Sequence, residues 1–355
     1  AIHDLRNQLS ANYGTNWSLL CPLFTSDGLL LLGLTPETSF CTHQPLDPAL
    51  RDLIAQATLP QQRQLTYRDL RRLRDPRQPD WQSLTQLGAA LIPPWLQRRL
   101  HPQHRLFVIP SGPLHSLAWA ALRVNGHWLC EQAILAYRPQ LHGETTSGRL
   151  ATQSPALLFG CSQFGTRAPA LPVAAATLDL VARHWPGPSS QWHDSEASWA
   201  NLERLHATDQ LGQYGLIHLA SHAQLGGADG LLAQISLADG DLLLDTISQL
   251  RLNADLVVLS ACEGAAGAVL PGDEVLSLNR ALLAAGARMV LASLWTVYDQ
   301  GVLALLEPFY VNLSRHGDAA LALAEAQRSV LAQPAPPTSL VSTPYLWGGF
   351  MLLMG

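Results

Sequence analysis

One histidine and one cysteine each follow a buried apolar run in the second half of this chain. His222 comes after the run 214–220, and Cys262 comes after the run 255–261. Such continuous runs are typical of parallel strands that are covered on both faces. Because functional groups collect at the carboxyl ends of parallel strands, we expect the imidazole and the thiol to meet there.

A cysteine beside a histidine is chemically sufficient for peptide-bond cleavage. The imidazole takes the thiol proton, the thiolate attacks the carbonyl, and the imidazolium then protonates the leaving amine. The backbone N–H groups of Cys262 and of Ala223, the residue after His222, are candidates for the oxyanion hole. The pattern therefore predicts nucleophilic catalysis by Cys262 with His222 as the general base.

A structural interpretation of the same residues stays open at this point. A cysteine after a strand is usually a small buried hydrophobic residue, and the chain contains 13 histidines. His218 lies in the same apolar run as the candidate base, and we expect it to be a hydrogen-bonded core residue.

The segments around the candidate residues predict an α/β domain. The apolar runs predict strands, and Asp239-Gly240 predicts a β-hairpin. The pattern from 255 to 295 is that of a βαβ unit, so its two strands should be parallel. The predicted strands are 157–161, 214–220, 255–261 and 288–295, and the predicted helices are 174–184, 195–205, 273–285, 299–314 and 318–331.

The first half also reads as an α/β unit. A hairpin is predicted at 25–28, a buried strand at 105–110, and a helix at 80–100 that is interrupted at Pro93-Pro94. Helical spacing also covers 48–73. The predicted organisation is an N-terminal helix or tail at 1–17, a first half at 18–141, a polar linker at 142–154 and a second half at 155–355.

Composition excludes several classes of protein. Of the 355 residues, 48% are hydrophobic and 14% are charged, which excludes a disordered chain. The net charge of −5 argues against a nucleic-acid or membrane-surface partner, and no apolar run is long enough to span a membrane. The 5 cysteines form no C-x-x-C pair, so we expect no disulfide framework, no metal, no cofactor and a cytoplasmic location.

A series of motifs resembles the CHAT domain, a caspase-like family of cysteine proteases in the clan of separase and the gingipains. The signature strands are His218-Leu-Ala-Ser-His222 and Leu256-Val-Val-Leu-Ser-Ala-Cys262-Glu-Gly. The resemblance extends from about residue 18 to the C-terminus. Its further members are the segments 106–122, 272–275, 283–287, 290–295, 324–327 and 344–350.

The resemblance implies His222 and Cys262 as the catalytic residues of a cysteine endopeptidase that acts on protein substrates. It implies a caspase-like three-layer α/β sandwich in two tandem halves, an inactive pseudo-protease half followed by an active half. It also implies a regulatory protein or an N-terminal repeat module as partner and, by analogy, a role in bacterial defence. Ala223 and Thr343-Pro344 depart from the frequent glycine and His-Pro of the family.

Three acidic residues are candidates for substrate binding. The segment 294–299 resembles a stretch of separase in which an acid suits an arginine-directed pocket, so Asp299 is the first candidate. Asp273 and Glu274 are rival acids. Any of the three can equally be a helix-capping or first-turn residue.

Two other functions use the same residues. The chain is alternatively a non-catalytic scaffold of caspase-like fold that binds partners. A third reading is an acyl-transfer or thioesterase enzyme that uses the same histidine and cysteine.

Overall fold

A computed structural model describes residues 2–58, 79–141, 147–226, 232–260, 267–269, 275–295, 297, 299–333 and 344–355. The chain divides into two units. Unit 1 runs to Ser147 and also takes Gln327–Met351 and Gly355, and unit 2 comprises Gly148–Ala326 and Leu352–Met354.

Unit 1 is built on a mixed sheet with helices beside it. It contains β1 (Trp17–Phe24), β2 (Gly28–Leu34), β3 (Ser39–Pro45), β4 (Arg105–Val108), β5 (Arg123–Val124), β6 (His127–Trp128) and β7 (Ile134–Tyr137). The helices before β8 are α1 (Ile2–Tyr13), α2 (Pro48–Thr58), α3 (Pro79–Leu91), α4 (Pro94–Gln97) and α5 (Leu129–Gln132).

The strand order in unit 1 is β3-β2-β1-β4-β7. β1, β2 and β3 form an antiparallel meander, whereas β4 is parallel to both β1 and β7. The predicted hairpin at 25–28 is confirmed, since Thr25 N donates to Gly28 O at 2.9 Å. The predicted interruption at Pro93-Pro94 is also confirmed, because α3 ends just before it and α4 begins within it.

The N-terminal segment, predicted as a helix or a tail, is a helix whose apolar side is buried. Leu5 and Leu9 of α1 are 3% and 0% exposed, so this helix belongs to the core of unit 1. The helical spacing predicted over 48–73 is realised as α2, and residues 59–78 lie outside the described part of the chain.

Unit 2 carries the candidate residues on a parallel sheet. Its strands are β8 (Ala156–Gly160), β9 (Ser189–His193), β10 (Leu216–Ala220), β11 (Ala223–Gly226), β12 (Leu232–Ser236), β13 (Asp241–Leu243), β14 (Leu256–Ser260), β15 (Gly267–Val269), β16 (Val275–Ser277) and β17 (Met289–Ser293). Its helices are α6 (Val173–His184), α7 (Trp199–Ala207), α8 (Leu244–Gln249), α9 (Leu278–Ala284) and α10 (Asp299–His316).

Three elements complete the chain: α11 (Ala319–Ala332), α12 (Pro344–Trp347) and β18 (Phe350–Met354). Residues of α11 and β18 are divided between the two units, and α12 lies in unit 1.

The strand order in unit 2 is β17-β14-β10-β8-β9, and these five strands are parallel. The expected adjacency of the two candidate-bearing strands is confirmed, because Ala220 of β10 pairs with Ser260 of β14. On its other side, Ala220 pairs with Gly160 of β8. The predicted hairpin at Asp239-Gly240 is confirmed as the connection between the antiparallel strands β12 and β13.

Helices cover both faces of the unit 2 sheet. On one face, His218 of β10 contacts Tyr310 of α10, and Leu178 of α6 lies directly over Gly160. On the other face, Ile217 and Leu219 line a small apolar cavity. The cavity is shared with Val257 of β14, Leu202 of α7 and Leu282 of α9. Unit 2 therefore has three layers, with the sheet between two sets of helices.

The helix predicted over 273–285 begins later than expected. Residues Val275–Ser277 form β16 and pair with β15, and α9 begins only at Leu278. The apolar spacing of Val275, Leu278 and Leu282 suits a helix. The ladder to β15 instead provides backbone hydrogen-bond partners for the first of these residues, and the strand prevails there.

The C-terminal segment is distributed differently from the predicted boundaries. The described residues 327–333 and 344–351 were expected in the second half, but they belong to unit 1. Gln327 Nε2 donates to Trp347 O at 3.0 Å, the Trp347 ring meets the Trp128 ring edge-on, and Arg328 Nε donates to Cys130 O at 2.8 Å. The division into a pseudo-protease half and a protease half stays a prediction.

The buried ring of His218 predicts an acid-dependent loss of stability. Burial lowers the pKa of His218 from 6.5 to about 3, so the folded protein keeps the ring neutral where the unfolded chain binds a proton. As the pH falls from about 6.5 towards about 4, this residue should lower the free energy of unfolding by up to about 1.4 kcal/mol per pH unit.

Urea unfolding at a series of pH values checks this, with His218→Asn as the variant that cannot titrate. The wild-type protein should lose more stability on acidification than His218→Asn. Equal losses in the two proteins would show that the ring accepts a proton inside the fold.

Candidate active site

His222 lies at the carboxyl edge of the unit 2 sheet. It is the second residue beyond Ala220, the last residue of β10. β14 ends at Ser260, which pairs with Ala220, so the chain that leads to Cys262 leaves the sheet beside the chain that leads to His222. Cys262 itself lies outside the described residues, as do Asp273 and Glu274.

A backbone carbonyl orients the imidazole of His222. Nε2 of the half-buried ring lies 2.9 Å from Pro169 O. A carbonyl oxygen only accepts hydrogen bonds, so Nε2 carries the proton. In the neutral ring, Nδ1 is then left with the lone pair and is the atom that can act as a base.

An aromatic side chain packs against the same ring. The Phe164 and His222 ring centroids are 4.8 Å apart, and the rings are tilted by 47°. Phe164 is 3% exposed, so it cannot move aside easily. The imidazole is therefore held by a hydrogen bond to Pro169 and by packing against Phe164.

The backbone that carries His222 is tied to β12. His222 O accepts from Ser236 N at 2.9 Å, and the Ser221 hydroxyl donates to Ser236 O. The next residue, Ala223, begins β11 and pairs with Ile235. The segment from 221 to 223 is consequently fixed on both sides of the imidazole.

The alanine that departs from the family pattern is accommodated without strain. Among the described residues, the non-glycine residues with positive φ are Asn125, Asp194 and Asp209. Ala223 is buried and has the extended backbone of a strand, which alanine adopts freely. Its role as an oxyanion-hole donor stays a prediction.

The loop between β8 and α6, residues 161–172, supplies both Phe164 and Pro169. Its start is bound to the sheet, since Cys161 N donates to Ala220 O at 3.0 Å. Ser162 donates from N and from Oγ to the same Asp194 oxygen, at 2.8 and 2.5 Å. The bond from the Ser162 hydroxyl holds the pKa of Asp194 below its usual value.

Cys161 is a second thiol at the same sheet edge, but its surroundings oppose reactivity. It is buried, its thiol donates to Gln163 O at 3.3 Å, and burial raises its pKa. Because the thiolate is the nucleophile, a raised pKa leaves less of the reactive form. Cys161 therefore serves as an internal control for Cys262.

His218 is a core residue, as its position in the strand predicted. The side chain is 0% exposed, and Nδ1 lies 2.8 Å from the Tyr310 hydroxyl. Nε2 has no hydrogen-bond partner among the described residues. This ring has no access to a substrate and cannot replace His222 as the base.

The acidic candidates are only partly described. Asp299 is the first residue of α10, as the predicted helix required, and its carboxylate lies outside the described atoms. The strand before it, β17, pairs with β14 as expected. Its role in substrate binding stays a prediction.

The chain matches the CHAT domain family over residues 82–355. It belongs to the CHAT domain family. Sequence relatives of this CHAT domain include tetratricopeptide repeat protein 28 of Mus musculus, which is 37% identical over 122 residues, and that of Homo sapiens, 37% identical over 107 residues. The matches cover 34% and 30% of this chain, and the chain spans only 4% of either relative.

A solved structure of similar fold is Saccharomyces cerevisiae separase in complex with securin, determined at 2.6 Å. The TM-score is 0.61, with 12% sequence identity over 99% of this chain and 31% of the matched chain. At this identity the likeness shows the fold alone. The CHAT domain thus has the caspase-like α/β fold.

The described residues contain neither a membrane-spanning helix nor a cluster of metal ligands. No helix among them is long and apolar enough to cross a membrane. Within the same part of the chain, no three His, Cys, Asp or Glu side chains are grouped as metal ligands.

The sequence did not predict a role for Pro169, Phe164 or Asp194. Main-chain carbonyls such as Pro169 O have no signature in the sequence. The signal that existed was positional, because the loop 161–172 follows a strand of the same sheet as His222. Polar residues at that strand end, such as Ser162, would have pointed to it.

The bond to Pro169 predicts one tautomer of the neutral His222 ring. The ring-nitrogen chemical shifts of ¹⁵N-histidine-labelled protein, assigned by comparison with His222→Gln, should show Nε2 protonated and Nδ1 unprotonated in the neutral ring. A ring protonated mainly at Nδ1 would contradict the orientation described here.

Proposed function

We propose that this CHAT domain is a cysteine endopeptidase in which His222 activates Cys262 for attack on a protein substrate. The observation that carries the proposal is the hydrogen bond between His222 Nε2 and Pro169 O. It leaves Nδ1 as the basic atom of a histidine that follows β10, the strand paired with β14, which leads to Cys262.

The reaction follows from this arrangement. Nδ1 withdraws the thiol proton, and the Cys262 sulfur attacks the substrate carbonyl to form a tetrahedral intermediate. The imidazolium returns the proton to the leaving amine, and water then hydrolyses the thioester with His222 again as base. Throughout, Nε2–H remains bonded to Pro169 O, whose dipole stabilises the positive ring.

The oxyanion of the intermediate needs donors that are fixed in advance. Ala223 supplies a backbone N–H in a segment that pairs with β12, and Cys262 supplies its own N–H. Donors held in place before the reaction stabilise the developing charge without reorganisation.

Substrate preference is proposed to rest on Asp299. This residue follows β17, the neighbour of the strand that leads to Cys262, and we propose that its carboxylate receives the residue before the scissile bond. An enclosed carboxylate pairs bidentately with a guanidinium, which favours arginine over lysine there. Asp273 and Glu274 are the alternative acids for this pocket.

A regulatory protein or a repeat module is proposed as the partner of this domain. Two observations support it. The sequence relatives carry tetratricopeptide repeat in their names, and the similar solved structure is a complex of separase with securin. The chain spans only 4% of those relatives and 31% of the matched separase chain.

Replacing the nucleophile gives the sharpest test of the activity. Cys262→Ala should abolish cleavage of a peptide library, as measured by mass spectrometry. The variant should remain folded, with a free energy of unfolding lower by only about 1 kcal/mol, because one sulfur atom is removed. The matched control is Cys161→Ala, which removes the other thiol at the sheet edge and should keep most of the activity.

Loss of the base should be almost as severe. His222→Gln is expected to reduce kcat by about 100-fold or more, since general-base catalysis typically contributes that much, whereas His218→Asn should retain activity.

Undiminished turnover by folded Cys262→Ala would defeat the mechanism. A folded wild-type chain that cleaves nothing would favour the non-catalytic scaffold, and turnover of thioesters alone would favour acyl transfer.

The pocket assignment predicts a change in selectivity. A peptide panel that varies only the residue before the cut should show arginine preferred by the wild-type protein. Asp299→Asn should weaken that preference by about 10-fold, since a charge-assisted bidentate pair is lost. An arginine preference that is unchanged in Asp299→Asn, or cleavage after apolar residues by both proteins, would remove Asp299 from the site.

A further inference from the structure

The orientation of His222 depends on where the loop places Pro169 O. Proline has no N–H, so Pro169 cannot be anchored through its own amide, and its neighbours Ala168 and Ala170 have no polar side chains. On the C-terminal side of Pro169, Leu171 N donates to Ser162 O at 2.9 Å and closes the loop on itself.

On the N-terminal side of Pro169, Arg167 ties the loop to a distant hairpin. Its Nη2 donates to Leu237 O at 2.5 Å and to Ala238 O at 2.7 Å, and its Nη1 lies 3.5 Å from Asp241 Oδ1. One planar guanidinium thus holds two carbonyls and a carboxylate of the β12–β13 hairpin, a geometry that an ammonium group cannot reproduce in full.

The hairpin that receives Arg167 is itself fixed. Ala238 N donates to Ala197 O at 3.0 Å. The Asp239 carboxylate accepts from Trp199 N at 2.6 Å and from Ala200 N at 3.1 Å, at the start of α7. The loop is therefore attached to a hairpin that is itself fixed, so the hairpin cannot follow the loop if the loop shifts.

The same hairpin also fixes the backbone of His222. Ser236 N donates to His222 O, and the next residue, Leu237, receives Arg167. These contacts form a closed cycle. It runs from His222 through the hydrogen bond to Pro169 and along the chain to Arg167. From there it crosses to Leu237 and returns to His222 through Ser236. Removing one contact of this cycle loosens the others.

We propose that Arg167 is a positioning residue for His222. It holds the loop so that Pro169 O stays within hydrogen-bond distance of His222 Nε2. The effect of Arg167 on catalysis rests on the proposed peptidase function, whereas its effect on the His222 tautomer does not. An ordinary half-exposed ion pair contributes little and would leave the imidazole unaffected, so the two readings predict different spectra.

The test compares Arg167→Met, Arg167→Lys and Arg251→Met, each in the ¹⁵N-histidine-labelled Cys262→Ala protein. Arg251→Met is the matched control, because it removes another guanidinium paired with an aspartate in unit 2, at 3.3 Å from Asp209. The expected result is a mixture of His222 tautomers in Arg167→Met, a partial return to the Nε2-protonated form in Arg167→Lys, and the parental spectrum in Arg251→Met.

With Cys262 restored, Arg167→Met should lower kcat by about 10- to 100-fold and change KM by less than about twofold, since a displaced base impairs chemistry rather than binding. A parental tautomer population in folded Arg167→Met would overturn the proposal. A parent chain without peptidase activity would overturn the proposed function, and the tautomer comparison would still decide the role of Arg167.

Discussion

The parallel register of β8, β10 and β14 determines where each group of the site can lie. Gly160, Ala220 and Ser260 are paired across the three strands, so the chains that leave the sheet beyond them start side by side. One chain carries the 161–172 loop, the next carries His222, and the third leads to Cys262. Backbone hydrogen bonds of the sheet, rather than contacts among the functional side chains, set this arrangement.

Around His222, uncharged groups do the orienting. The carbonyl of Pro169 fixes the tautomer by accepting a hydrogen bond from Nε2. Phe164 restricts the ring from its face, and β12 fixes its backbone through Ser236. Arg167 and Asp194 are charged, and their hydrogen bonds hold the loop rather than the imidazole.

Much of the unit 2 sheet could be predicted from the sequence because a continuous apolar run has few alternatives to a buried parallel strand. That is why the adjacency of β10 and β14 and the core role of His218 are confirmed. The start of α9 was missed, because the pairing of Val275–Ser277 with β15 is non-local. Pro169 was missed because its functional atom belongs to the main chain, which every residue shares. The packing of Gln327, Arg328 and Trp347 in unit 1 depends on tryptophan and arginine contacts that no local pattern reveals.

The central claim is that His222 and Cys262 act together, and the pH dependence of Cys262 alkylation tests it most directly. Iodoacetamide labelling followed by peptide mapping would separate Cys262 from the exposed Cys41. In the wild-type protein, the account predicts a reactive thiolate well below the usual thiol pKa of about 8.5, and a shift of the profile towards that value in His222→Gln. Coincident profiles in the two proteins, both with midpoints at or above about 8.5, would contradict the pairing of these residues.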